Sequence, residues 1–396
     1  MLARQTHLRL SHKEVFSSIA IGCFVAAVLG LAGQTQSWPF VSIDNFFQDT
    51  FLTQKASHKA SDNITIIDID DVSLEAVGQW PWPRYRIAAF IETISALEPK
   101  AIGLDIVFPE PDSSALINIK QTFKNDFNLD ISFQGVPSSL TDNDGYLGSV
   151  IKNSGTVGAN YFYFDYTGSS GSCSGTDFSI TGAEKLTLDS ARGRLCNTEK
   201  ISENILFRGF INCQTDKDGM LRQLPLLIEY QSSIYPNLTL ATLLKGLGES
   251  SAQIGQNRNG PYIEAGPHHI PISKTGYAIL NFQGPPSLYP TLSAVDVLNK
   301  KINPVDIKDK YILIGSSAIG LNDLYPTPFD PLFPGIKTHA VMLESILANK
   351  SIHVPSWSQI ALPLFTLLSV IIMLLLFTVN SRPFTMVIGS LTLDTI

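Results

Sequence analysis

Residues Asn63 to Asp112 read NITIIDIDDVSLEAVGQWPWPRYRIAAFIETISALEPKAIGLDIVFPEPD, and no other stretch restricts the fold as much. Ile64 to Ile69 is a β-branched run that ends among the acids Asp68, Asp70 and Asp71, the pattern of a buried strand emerging at a sheet edge. After Trp80-Pro81-Trp82-Pro83, the segment Arg84 to Leu97 spaces Ile87, Phe90, Ile91, Ile94 and Leu97 as one face of a helix, with Pro83 suited to its first turn. Ala101 to Phe108 is a second β-branched run carrying one acid, Asp105. Strand, helix, strand with a crossover of this length implies parallel pairing, so Asp70 and Asp105 are expected on neighbouring strands.

Open parallel sheets bind ligands at the carboxyl ends of their strands. Asp70 and Asp105 there, with Arg84 or Arg86 at a nearby helix start, make a small-ligand pocket; the same residues also fit an internal Asp-Arg lock, since structural ion pairs gather at strand ends. Both readings stay open on the sequence.

Several ordered motifs carry a family resemblance. Asp68 through Ser73, Gly78 through Arg84 and Gly103 through Asp112 are joined by Phe207-Arg208-Gly209-Phe210-x-Asn212, Asp216-x-Asp218-Gly219-x-x-Arg222 and Pro225-Leu226. Ser293-Ala294-x-Asp296-Val297-Leu298, Ile314-Gly315, Gly320-Leu321-x-Asp323 and Pro334-Gly335-x-x-x-His339-Ala340 follow in order. The combination, from about Asn63 to Lys350, resembles the second type of CHASE domain, the extracytoplasmic sensory module of bacterial membrane receptors. The resemblance implies a homodimer in the inner membrane, facing the periplasm, with further membrane helices and a cytoplasmic nucleotide cyclase or kinase supplied in cis or in trans. No such effector lies in these residues.

The ends of the chain fit that organisation. Met1 to Glu14 carries Arg4, Arg9 and Lys13 and is expected in the cytoplasm; Val15 to Gly33 has no charge and is long enough to span a bilayer. A cleaved signal peptide ending at Leu31-Ala32-Gly33 is the competing reading, but the apolar run exceeds a typical signal core and the family pattern has an anchor here. Residues 34–62 form a juxtamembrane arm, with a short helix expected at Asp44 to Gln54, and residues 63–350 form the sensory domain. Residues 360–379 make a second uncharged run, and residues 384–396 begin a third. The expected fold is therefore α/β: a single large extracytoplasmic domain with a mixed, largely parallel sheet, flanked by transmembrane helices. A net charge of -7 and a pI near 5.5 argue against a nucleic-acid surface, which needs a basic stripe.

Of four cysteines, Cys23 falls in the anchor, leaving three in an oxidising compartment. Cys173 with Cys196 closes the Gly- and Ser-rich excursion Asp165 to Thr198, although Cys196 with Cys213 stays open. No C-x-x-C occurs, so neither zinc nor any cofactor is expected.

Ile205 to Asn212 and Leu221 to Tyr230 read as two strands joined by a tight turn at Asp216-Lys217-Asp218-Gly219. Asp218 belongs to that turn or to a ligand loop, and Arg222 pairs with Asp218 or points toward Asp70 and Asp105. His339, near the start of a helix running to Leu347, either locks a Pro-rich loop with Asp323 or forms a dyad with it. The sequence thus supports a membrane-bound sensor of a small-molecule or protein ligand, not itself an enzyme, with candidate ligand residues Asp70, Arg84, Asp105, Asp218, Arg222 and His339. Two alternatives are an extracytoplasmic hydrolase using Asp70 and Asp105 as acid and base, and a structural dimerisation module without ligand.

Overall fold

The structure is a computed structural model that describes residues 40–56, 62–137, 141–170, 173, 177–318, 320, 323–355, 364–365, 367–369 and 371–372. Phe51–His353 forms one compact unit, and Met1–Thr50 with Val354–Ile396 forms another. The expected anchor at 15–33 and the third apolar run at 384–396 lie outside the described residues. Within 360–379 the described positions are helical, and Leu364, Phe365, Leu367, Leu368, Ile371 and Ile372 are exposed. Among the described residues no helix is long and apolar enough to cross a membrane.

The arm contains helix α1 (Phe40–Lys55), longer at both ends than the sequence predicts, with Phe46, Phe47 and Phe51 exposed. The strand-helix-strand stretch follows as β1 (Ile64–Ile69), α2 (Asp71–Val77), α3 (Arg84–Ser95) and β2 (Ala101–Leu104). Further on come α4 (Asn143–Ser154), β3 (Gly158–Tyr163), β4 (Gly193–Leu195), β5 (Arg208–Phe210) and α5 (Leu238–Leu247). The unit closes with β6 (Thr291–Ser293), α6 (Ala294–Leu298), β7 (Tyr311–Ser316) and α7 (Gly335–Leu347).

Strands β6, β1, β7 and β2 lie side by side in that order, all parallel. Asp70 and Asp105 are therefore not on neighbouring strands: β7 runs between β1 and β2, pairing Asp68 with Gly315 and Leu104 with Ile314. The sheet is parallel throughout, and the antiparallel pairings sit in separate small sheets. Residues of both parities along β1 are buried, as a parallel sheet covered on both faces requires. Ile67, Ile69, Ile102, Leu104, Ile312 and Ile314 pack with α3, α4 and α6, while Ile64, Ile66, Ala101, Tyr311 and Leu313 pack with α5 and α7. In α3 the expected face is the buried one: Ile87, Phe90, Ile91 and Ile94 are fully covered, and each contributes roughly 1.5–3 kcal/mol relative to exposure.

Glycines set how closely the helices approach. A Cβ on Gly103 would stand 2.5 Å from Thr242 Oγ1 of α5, and one on Gly315 would stand 2.8 Å from Ile336 Cβ of α7. On Gly209 it would meet the backbone itself, 2.5 Å from Leu238 Cα and 2.6 Å from Leu238 N. Asn212 completes that motif by accepting from Phe162 N at 2.9 Å and donating to the Phe162 carbonyl at 2.8 Å, clamping the segment to β3.

The expected hairpin across Asp216 to Gly219 does not form. Its first arm supplies β5, which pairs with β3, while Gln223–Pro225 pairs with Tyr277–Ile279 and Leu227–Tyr230 pairs with Ser233–Pro236. Turn chemistry alone identified the bend, and long-range partners decided the pairing. The Asp165 to Thr198 excursion also contains strand: Ser169–Ser170 and β4 pair together, and Ser179–Thr181 joins the Ser251–Asn257 hairpin sheet.

Gly209→Ala is expected to lower stability by about 1–3 kcal/mol, because the obstacle is main chain rather than a side chain that can turn away. The urea midpoint of the full chain in detergent measures it.

Candidate functional site

The carboxyl ends of the four parallel strands are where buried main chain and polar side chains must find partners. At the end of β1, Asp68 accepts from Ser317 N at 2.8 Å and Ser317 Oγ at 2.6 Å. Burial raises its pKa, against the Ser317 hydrogen bonds and the charge of Lys337, which lower it. Lys337 is itself buried and donates to the Pro286 carbonyl at 3.1 Å. Asp70 caps α2, accepting from Ser73 N at 2.8 Å and from Ser293 Oγ at 2.9 Å. Ser73 Oγ in turn accepts from Val295 N at 3.1 Å, so the start of α6 is capped by a residue of α2 and not by Ser293.

Arg84 is a buried fastening. Its main-chain N–H donates to Asp112 Oδ2 at 2.8 Å, and Nη2 donates to the Glu110 carbonyl at 3.1 Å. Nε lies 3.7 Å from Asp144 Oδ1, and the guanidinium lies over the Phe108 ring. Asp112 also accepts from Asn143 Nδ2 at 2.8 Å and from Ser114. These bonds join the start of α3 and the Glu110 to Asp112 segment to the start of α4. Loss of one partner from a buried pair of this kind costs about 3–5 kcal/mol.

Asp218 and Arg222 form a second fastening within their own loop. Arg222 donates to Asp218 through both terminal nitrogens, at 3.0 and 2.9 Å, and to Asp216 Oδ2 at 2.9 Å. Gln223 Nε2 adds a bond to Asp216 Oδ1 at 3.0 Å. His339 is buried between α7 and α5, with Nδ1 2.9 Å from Thr239 Oγ1, and burial lowers its pKa to about 4. Its hydrogen-bond partner is thus Thr239 rather than Asp323. Cys173 and Cys196 are joined, with Cα atoms 5.4 Å apart, and Cys213 is a free thiol.

Asp105 stands apart from these locks. It follows β2 directly, with its N–H on the Ile314 carbonyl at 2.8 Å. Its carboxyl is half-buried, and burial followed by the charge of Asp323 holds its pKa well above the usual carboxylate range. The Asp323 carboxylate rests against Gly335 at the first residue of α7, where any Cβ would strike it, and its carbonyl accepts from Gly335 N at 2.9 Å. Burial raises the Asp323 pKa too, opposed by a hydrogen bond from Tyr325. Cys213 completes the group, 3.7 Å from Thr338 Oγ1 on α7, its thiol pushed up by burial and then by Asp323. The structure therefore unites Asp105 with Asp323, Tyr325, Cys213 and Thr338. Of the candidates named from sequence, Asp70, Arg84, Asp218, Arg222 and His339 each have other partners.

Asp323 carried a sequence signal through its motif, as did Asp68; Tyr325 and Lys337 carried none. Among the described residues no group of three or more His, Cys, Asp or Glu side chains could hold a metal ion.

The model of the CHASE2 domain family matches residues 22–379. The chain belongs to the CHASE2 domain family. No curated protein matches it, and no solved structure does. CHASE2 domains are sensory extracytoplasmic modules of membrane receptors, not catalytic domains.

The carboxylate pair has a defined pH signature. With folded pKa values raised above the ordinary 3.8, the folded CHASE2 domain retains protons that the unfolded chain releases. The stability due to the pair is therefore full below about pH 4 and is lost as pH rises through the raised values. His339 acts in the opposite direction: stability falls as pH drops from its ordinary 6.5 toward about 4. Asp105→Asn should melt above wild type at neutral pH and lose that advantage near pH 4, in paired thermal melts where the His339 contribution cancels.

Proposed function

We propose that this CHASE2 chain is the input module of a bacterial membrane receptor, and that it receives a small ligand at the carboxyl edge of its parallel sheet, around Asp105 and Asp323. The observation that carries the reading is the Asp323 carboxylate set against Gly335 at the first turn of α7, with its charge acting on Asp105 at the end of β2. A ligand that offers a positive charge or hydrogen-bond donors relieves that repulsion and favours one position of α7. Among the described residues α7 is the last helix before the apolar run at 360–379, so in this reading a displacement of α7 is passed along the chain toward that run. The signal requires different ligand affinities for the two positions.

The rest of the reading follows the family. The apolar runs at 15–33 and 360–379 hold the chain in the inner membrane with residues 63–350 on the periplasmic side. The receptor works as a homodimer, with the exposed Phe46, Phe47 and Phe51 of α1 available to a second copy. A cyclase or kinase, in cis or in trans, reads the outcome.

A thermal-shift screen of the full chain in detergent, against cationic and amine-bearing periplasmic metabolites, tests the proposal. A stabilising compound is expected to lose at least about tenfold in affinity for both Asp105→Asn and Asp323→Asn, the cost of about 1.4 kcal/mol of lost interaction. If no compound acts, or if one acts equally on wild type and both variants, the carboxylates are internal fittings like Arg84 and the domain is a dimerisation module. Turnover of a compound, abolished in both variants, would make it a hydrolase.

A further inference from the structure

Two buried guanidinium groups share one carboxylate beside β3. Arg194 comes from β4 and Arg208 from β5, the strands that flank β3 on either side. Their side chains are 4% and 1% exposed. Both reach the same atom, Asp177 Oδ1, at 3.6 and 3.7 Å, which is beyond the roughly 2.7–2.9 Å of a charge-assisted hydrogen bond. Arg208 Nη2 donates to the Ser202 carbonyl at 2.6 Å. The Asn160 amide, oriented so that its nitrogen donates to Ala159, presents its oxygen to Arg194 Nη2 at 2.8 Å. Among the described residues, that leaves Nε of both arginines and Nη1 of Arg208 buried without a hydrogen-bond partner, and Asp177 Oδ1 likewise.

The charges do not balance. Two permanent cations face one carboxylate, and the flanking rings of Phe162 and Tyr235, 5.5 and 4.6 Å from the Arg194 guanidinium, offset only part of the excess. Burial, opposed by Asp177 and reinforced by Arg194, disfavours the protonated form of Arg208. Buried charges are ordinarily paired and buried N–H groups ordinarily bonded. Asp177, with its side chain 25% exposed, connects the cluster to solvent. The Cys173–Cys196 disulfide joins a residue four positions before Asp177 to the residue that follows β4.

We propose that Arg194 and Arg208 bind one small monovalent anion, a carboxylate or a halide, through the N–H groups that Asp177 leaves unbonded. The bound anion neutralises the excess charge and supplies the missing acceptors. The site is independent of the Asp105–Asp323 pair.

The test replaces sodium gluconate, a much larger anion, with chloride or with formate at constant ionic strength, and follows the melting temperature of the full chain in detergent. Wild type is expected to gain a few degrees along a saturating curve, and Arg208→Gln to show no gain. Asp177→Asn should melt lower than wild type in gluconate and recover most of the loss in chloride or formate, since the anion then takes over both cations. Should Arg208→Gln not fold, broadening of the chloride NMR line by wild type decides, with broadening removed by excess formate supporting a single shared site. A response to chloride alone assigns the site to a halide, and to formate alone to a carboxylate. No melting-temperature response to either anion, an unchanged response in Arg208→Gln, or no recovery in Asp177→Asn would each overturn the assignment, and where the NMR measurement decides, so would a chloride line that wild type leaves sharp together with no response to formate.

Discussion

A parallel sheet covered by helices on both faces can meet a ligand only at the ends of its strands, and that constraint organises this domain. Strands β6, β1, β7 and β2 run in one direction, so their carboxyl ends form one edge. The helices come so close that Gly103 and Gly315 have no room for a side chain, which leaves the strand ends as the place for polar groups. Asp68, Asp70 and Asp105 are there because the chain leaves the sheet there.

Most of the polar groups are spent on holding that edge together. Asp70 links the starts of α2 and α6 through Ser73 and Ser293; Asp68 holds the turn after β7 through Ser317; Arg84, Asp112, Asn143 and Asp144 bind α3 to α4. Asp105 and Asp323 differ because their charges oppose each other in a buried setting. Each carboxyl of such a pair is held above the ordinary carboxylate range, Asp105 by burial and then by the charge of Asp323. Asp323 lies against Gly335, the first residue of α7. Membership in the CHASE2 family supplies the sensory role, and the pair is the means proposed for performing it.

The elements whose information is local were legible in the sequence. The β-branched runs, the face of α3, and the Asp-Gly turn followed from periodicity and turn chemistry, and the two ends of the Asn63 to Asp112 stretch were correctly expected in one parallel sheet. That β7 separates β1 from β2 was not legible, because its partners are more than two hundred residues away and all three runs have the same apolar character. The same limit hid the partners of β5 and of Gln223–Pro225. At the site, pairing of Arg222 with Asp218 was one of two readings its place just after the turn allowed, and the structure shows that one, whereas the bond between His339 and Thr239 joins two apolar helices with no signal linking them. Asp105 was found from its strand-end position, but its companion Asp323 was weighed only against His339. The match between the two acids depends on how a Pro-rich loop folds back onto α7.

Amide hydrogen exchange of the full chain in lipid nanodiscs, comparing wild type with Asp323→Asn at one neutral pH, tests the link between the carboxylate pair and α7 most directly. The account expects the variant, relieved of the repulsion, to exchange more slowly in the first turn of α7, at Gly335 to Thr338, with the amides of β1 and β7 unchanged. Equal exchange in α7, or a change spread evenly over the sheet, would contradict it.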